Sequence, residues 1–297
     1  MAMTELLEAC WSGHLCTNWL FDQSDSIPSS RTCRASRNRW AMEIEGSASR
    51  MNNGVSDKVG APKVVDRATF QAEVDKLRAR EKAHTREGDA IAAARRRLPM
   101  VAVDGATPLI GQRDTVTLLD VFEDRRLLIA YYFMWYSGRP AAEQCEGCTF
   151  FTTQVRELSA LHARDVTYAT ICQGPYEESI RYRDFMGWET PWYAAEKTSL
   201  DTLLVGRRVG MMHLVCYLRQ GSEVFETYWT WMRGVEAMDN NYRLLDLTAY
   251  GRQEEWEDSS SGWPQRRIGK QRMRTDGRPT SQWRRLKAGI SDRLSAD

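Results

Sequence analysis

The sequence predicts an α/β fold, a central sheet with flanking helices, preceded by a charged helical arm. Three observations predict it. A chain of 297 residues that is 42% hydrophobic and 27% charged has enough apolar side chains for one sizeable core. Residues 127–135, LLIAYYFMW, are aliphatic or aromatic throughout and apolar on both faces, as a strand buried on both sides requires. Strand and helix signals then alternate with short crossovers, which implies parallel neighbouring strands.

Composition removes several classes of function. Lys and Arg total 41 against 40 for Asp and Glu, a net charge of +1, so no global field draws in nucleic acid or anionic lipid. The longest apolar run, residues 127–136, is about half of the roughly 20 residues a spanning helix needs. The acidic start MAMTELLEAC lacks a basic segment followed by an apolar one. The expectation is a protein that is not exported and does not span a membrane, working in the cytoplasm. Seven unevenly spaced cysteines do not form a secreted disulfide framework, and in a reducing compartment a close pair points to redox chemistry or metal.

Residues 1–60 mix Ser, Arg and Asn without a helical or strand period and are expected to be a largely disordered N-terminal extension. Their cysteines, Cys10, Cys16 and Cys33, read as incidental thiols. Met42 and Met51 raise the alternative that translation begins later. The charged helical arm is expected over 64–98: Asp66 caps it, Phe70, Val74 and Leu77 recur at helical spacing, Gly88 is a possible break, and Leu98-Pro99 ends it. Such an arm packs on its own domain or on a second copy, the second of which would make a homodimer through the arm. Arg95, Arg96 and Arg97 are expected to form a solvated last turn that complements the helix dipole, with nucleic-acid contact as the lesser reading.

The domain itself is placed at 99–264. Val101 and Val103, residues 115–117 and the run LLDVF give short strand signals. The buried strand at 127–135 leads through a turn at 137–140 to Cys145-Glu146-Gly147-Cys148, and Phe151, Val155, Leu158 and Leu161 then predict a helix as far as Arg164. Residues 165–172 form a second strand, and 176–186 a helix ended by Gly187. Two further strands flank a turn at 219–222, and 235–249 reads as a last helix. Strand, helix, strand, helix, hairpin, helix is the plan of a thioredoxin-like domain. From 265 to 297 ten Lys or Arg face three Asp without periodicity. This is expected to be a basic disordered tail; Trp283 beside Arg284 and Arg285 allows base stacking without requiring it.

Two cysteines two residues apart at a helix start can bond to each other, and the free N–H groups and positive dipole end of the first turn stabilise a thiolate. Cys145 is therefore the candidate nucleophile and Cys148 the candidate resolving thiol. Glu146 works against this by raising the Cys145 pKa. Gly147 keeps the turn open. A zinc reading lacks a second ligand pair, so no metal and no bound cofactor is expected. Cys172 and Cys216, in strand signals, read as buried hydrophobes, and His162 and His213 as structural.

The runs YYFMWYSGRPAAEQCEGCTFF, ARDVTYATI, MGWETPWY and FETYWTWMRGVEAMDNNYRLLDLTAYGRQEEWEDSSSGWPQ resemble the domain of unknown function 899 family over roughly residues 64–265. The resemblance implies a thioredoxin-like fold and, where both cysteines are kept, a dithiol-disulfide oxidoreductase acting through Cys145 and Cys148. Trp188, Pro191, Trp192 and Tyr193 match the family's aromatic segment; they are expected in the core, with a substrate groove formed by Trp188, Pro191, Trp192 and Met212 as the lesser reading. Thioredoxins place a cis-proline before the hairpin strand, where this chain has Val209-Gly210-Met211-Met212, and residues 196–208 also depart from the family pattern.

The expected function is thiol-disulfide exchange. Its partners would be a disulfide-containing protein or small thiol and a reductase that resupplies electrons. The alternatives are a non-catalytic interaction module of the same fold and, less favoured because Ala142 stands where peroxiredoxins carry Thr, a thiol peroxidase.

Overall fold

The computed structural model describes residues 60–265 and 272–295. The disorder expected for residues 1–60, its three cysteines and the later start therefore fall, but for Gly60, outside the described residues. The arm is a single helix, α1 (Arg67–Arg95), and Asp66 caps it by accepting the Thr69 N–H at 2.9 Å. Gly88 does not break it, because one glycine costs about 1 kcal/mol and the flanking residues are helix formers. No residue of α1 is buried.

Eight strands form one sheet: β1 (Val101–Val103), β2 (Pro108–Ile110), β3 (Thr115–Thr117), β4 (Leu127–Phe133), β5 (Val166–Cys172), β6 (Trp192–Ala194), β7 (His213–Gln220) and β8 (Glu223–Trp231). Their spatial order is β1-β8-β7-β4-β5-β6-β2-β3. β4 pairs in parallel with β5 and antiparallel with β7, and β7 forms a hairpin with β8. Those four strands, with α2 (Glu146–Gln154) and α4 (Tyr176–Met186) as the crossovers, are the thioredoxin-like core. β6 extends it in parallel, and β2, β3 and β1 close its two edges antiparallel.

Alternation along β4 divides the interior. Tyr131 and Phe133 face an aromatic cluster under α2 and α4, whereas Leu128, Ala130 and Tyr132 face a mainly aliphatic one under α5 (Lys197–Leu203). Gly187 ends α4 at φ 67°, a left-handed conformation that favours glycine.

Four expectations need correction. The helix after the cysteine pair stops at Gln154, since Val155 is extended and only a short α3 (Ser159–His162) follows; the β-branched Val155 does not hold the register. LLDVF contains a 3-10 turn at Asp120–Phe122, fixed by the Asp120 carboxylate accepting from the Thr117 N–H and hydroxyl at 2.7 Å. The last helix is a 3-10 segment, Met232–Met238, and a short α6 (Asn241–Asp246), because Asp239 turns back to accept the Tyr242 N–H at 3.0 Å.

The fourth is the basic tail. Residues 272–295 carry a hairpin of β9 (Arg274–Thr275) and β10 (Arg278–Pro279), a 3-10 turn and α7 (Trp283–Lys287). Three of its cations find partners on folding: Arg274 pairs with Glu146 and Arg278 with Asp292, while Arg285 donates to the Phe185 carbonyl at 2.6 Å. Gln282, fully buried, donates to the Ala141 carbonyl and the Tyr182 hydroxyl, both at 2.7 Å.

Candidate dithiol site

Cys145 is the N-cap of α2, and its sulfur accepts the Cys148 N–H at 3.4 Å. The turn that delivers it is closed by Gln144, which is fully buried: its amide donates to the carbonyls of Tyr136 at 2.9 Å and Arg139 at 3.0 Å, and its oxygen accepts the Tyr136 N–H at 3.1 Å. The Cys145 carbonyl accepts from the Thr149 N–H and from its hydroxyl. That hydroxyl meets Tyr182, which in turn meets Gln282. Met134, just beyond β4, touches both cysteines. Its N–H donates to the Cys148 sulfur at 3.4 Å, and its thioether lies 3.8 Å from the Cys145 sulfur.

The two thiols differ in burial and in electrostatics. Cys145 keeps 5% of its surface exposed and Cys148 none. The neighbouring Cys148 thiol lowers the Cys145 pKa; burial opposes this, the Cys148 N–H adds to it, and Glu146 opposes it. Cys148 is pushed well above the ordinary thiol value by burial first and then by the neighbouring Cys145 sulfur and its charge. Tyr131 lies beneath, its buried hydroxyl without a hydrogen-bond partner of its own. It faces Cys148 closely enough to moderate that rise. Burial pushes Cys172 up to about 12 and Cys216 up to about 11. Among the four cysteines of the described residues, Cys145 alone is shifted toward the thiolate.

Of the residues read from sequence, Met212 joins the site. Its methyl group is 3.2 Å from where a Cβ on Gly147 would stand, and the Met273 sulfur is 3.9 Å from the same point. Gly147 is thus covered on this side by two methionines and is not an open approach. Trp188 and Trp192 do not line a groove: they are 5% and 4% exposed, stack at 5.6 Å and pack on Phe133. Pro191 is spent on the sheet, its carbonyl accepting the Thr170 N–H at 2.9 Å. The loop before β7 contains no cis peptide. Gln173 holds it instead, accepting the Gly210 N–H at 2.8 Å and donating to the Met211 carbonyl at 2.8 Å.

Sequence reasoning missed Gln144, Tyr131, Tyr182, Gln282 and Arg274. The Arg274 guanidinium donates to the carbonyls of Ala142 at 2.8 Å, Gly277 at 2.9 Å and Gln144 at 3.0 Å, and to the Glu146 carboxylate at 3.0 Å. Only Gln144 stood beside the motif; the others lie at sequence distances that no local spacing reveals. Among the described residues no group of three or more His, Cys, Asp or Glu side chains is placed to hold a metal ion. No helix among them is long and apolar enough to cross a membrane.

The family model described as bacterial protein of unknown function (DUF899) matches residues 59–285. Among solved structures, the chain is similar to a thioredoxin from Wuchereria bancrofti at 13% identity, covering 47% of this chain and 90% of that one with a TM-score of 0.31. It is also similar to a cysteine-to-serine mutant of peroxiredoxin Q from Xanthomonas campestris at 12% identity, covering 48% and 92% with a TM-score of 0.34. No curated protein matches the chain.

Proposed function

As the chain belongs to the DUF899 family of bacterial proteins, we propose that it is a thiol-disulfide oxidoreductase of the reducing cytoplasm whose working pair is Cys145 and Cys148. The observation that carries this reading is the asymmetry of the pair at the start of α2: one sulfur lowered in pKa, accepting the Cys148 N–H and slightly exposed, the other fully buried with its pKa raised. A nucleophile and a resolving thiol need that division of labour.

The Cys145 thiolate attacks one sulfur of a substrate disulfide. A mixed disulfide forms and one substrate thiolate leaves, taking a proton from solvent. Cys148 then gives up its proton and attacks the Cys145 sulfur, so the Cys145–Cys148 disulfide forms and the second substrate thiolate leaves. Two electrons have passed to the substrate, and a small thiol or a reductase returns two to the protein. The Met134 N–H, already directed at the Cys148 sulfur, stabilises the charge that develops there during the second step.

The near-complete burial of Cys145 favours a second reading, a non-catalytic interaction module. One experiment separates them. Reduced wild type, Cys145→Ser and Cys148→Ser are incubated with glutathione disulfide and with a disulfide-bonded unfolded protein, and the products are resolved by intact mass. Exchange predicts substrate reduction by wild type, none by Cys145→Ser, and an accumulating mixed disulfide on Cys148→Ser. Wild type that reduces neither substrate faster than Cys145→Ser leaves the interaction module in place.

A further inference from the structure

The C-terminal segment reaches the dithiol through one side chain. Arg274 lies 128 residues beyond Glu146 in sequence, yet its guanidinium meets the Glu146 carboxylate at 3.0 Å and the Gln144 carbonyl at 3.0 Å. These residues stand immediately on either side of Cys145. The same group also takes the Ala142 carbonyl at 2.8 Å, two residues further back in the turn. Arg274 and Glu146 side chains are 16% and 21% exposed, so solvent screens their charges far less than it screens an open surface pair.

Glu146 alone is the wrong residue for a thiolate site. Its negative charge acts against the Cys145 thiolate, and the two oxygens of Ala142 and Gln144 add partial negative charge nearby. A planar guanidinium satisfies all three acceptors at once, which a point-charge ammonium does less well.

We infer that Arg274 is a positioning residue for the proposed thiol chemistry: by pairing with Glu146 and clasping the Ala142 and Gln144 carbonyls, it cancels the carboxylate beside Cys145 and holds the turn that presents the sulfur. This inference rests on the exchange reading for its purpose and on the contacts of Arg274 for its substance. It also explains how an acidic spacer is compatible with a reactive first cysteine.

The test is the pH profile of iodoacetamide alkylation at Cys145, followed by peptide mass on the reduced full-length chain. Arg274→Gln is expected to move the midpoint upward by about one pH unit, with the rate near neutrality falling about tenfold. Glu146→Gln placed in that background is expected to return the midpoint to wild type, since the charge that needed cancelling is gone. Arg274→Lys, which keeps the cation, is expected to stay closer to wild type than Arg274→Gln does. A double variant that remains at the Arg274→Gln midpoint overturns charge cancellation and reduces Arg274 to a structural clasp.

Should Arg274→Gln not fold, Glu146→Gln alone carries the test. There the unpaired guanidinium is expected to lower the midpoint, and an unchanged midpoint overturns the proposal. The readout is thiol titration and not turnover. Absence of disulfide exchange by wild type therefore defeats the oxidoreductase reading without touching this one.

Discussion

The two faces of the central sheet are built from alternate residues of the same strands and do different work. Under α2, α4 and the C-terminal segment, Phe133 packs on Tyr182, Trp188 and Trp192, with Cys145 and Cys148 in the same cluster. Under α5, the cluster is mainly Leu, Val and Ala around Tyr132 and Tyr217. Each face also buries polar groups. Beneath α5 they close on themselves: Tyr132 bonds Tyr217 at 2.7 Å, and Arg207 pairs with Glu226. Beneath α2 they run outward from Gln282 through Tyr182 and Thr149 to the Cys145 carbonyl. The difference teaches that polarity on one face serves stability alone, whereas on the other it sets the position of a sulfur.

The largest effect expected from this contrast is at the Arg207–Glu226 pair. Both side chains are about nine-tenths buried, and Arg207 also lies over Trp229 at 4.5 Å. Glu226→Gln leaves a buried cation without its counter-charge, which costs about 3–5 kcal/mol. Chemical denaturation should show that loss, while the Cys145 alkylation profile of the folded fraction stays unchanged. A profile that moves with Glu226→Gln would break the separation of the faces.

Next in size are the two tyrosine networks. Tyr217→Phe strands the Tyr132 hydroxyl and should cost about 1–3 kcal/mol, most of it returned when Tyr132→Phe is added, because a pair of apolar rings leaves no orphan. Tyr182→Phe takes one partner each from Thr149 and Gln282, which keep the Cys145 and Ala141 carbonyls, and should cost a similar amount. It should also raise the alkylation midpoint of Cys145, since the first turn of α2 loses a tie. Denaturation measured beside alkylation for the three variants gives the comparison directly: equal losses of stability, with thiol reactivity moving on the dithiol face only.

Much of this arrangement was legible in the sequence. The strands read at 127–135 and 165–172 stand at 127–133 and 166–172, and the helix 176–186 ended by Gly187 stands where expected, because each is set by periodicity within a single element. Cys145 at a helix start was legible for the same reason. What depended on contacts between distant segments was not. Arg274, Gln282 and Met273 sit in a stretch whose composition alone suggested a solvated tail, yet their partners, Glu146, Tyr182 and Gly147, lie about a hundred or more residues away. Charge counted along a chain does not reveal that Arg274 and Arg278 each meet a carboxylate when the chain is folded. The aromatic segment at 188–193 was placed correctly in the core, and the groove that it suggested was not there to be read.

The smallest effect concerns His213, at the start of β7 on the α5 face and next in sequence to Met212. It is 1% exposed, its Nε2–H donates to the Arg208 carbonyl at 3.0 Å, and its Nδ1 has no partner. Burial, with the Arg207 charge acting in the same direction, depresses its pKa below the usual imidazole value. In the unfolded chain the imidazole takes a proton near pH 6.5, whereas in the folded chain it does so only at lower pH. Between those two values the unfolded state holds the extra proton, so stability falls as pH drops through that window and the slope vanishes below it. His213→Gln retains a donor for the Arg208 carbonyl and removes the titration. Its denaturation midpoint should therefore change less than that of wild type between about pH 7 and pH 5, with the Cys145 profile again unmoved. A wild-type midpoint that falls no faster than the variant's would show that the imidazole tolerates its proton in place, and that the α5 face is less closed to charge than its packing implies.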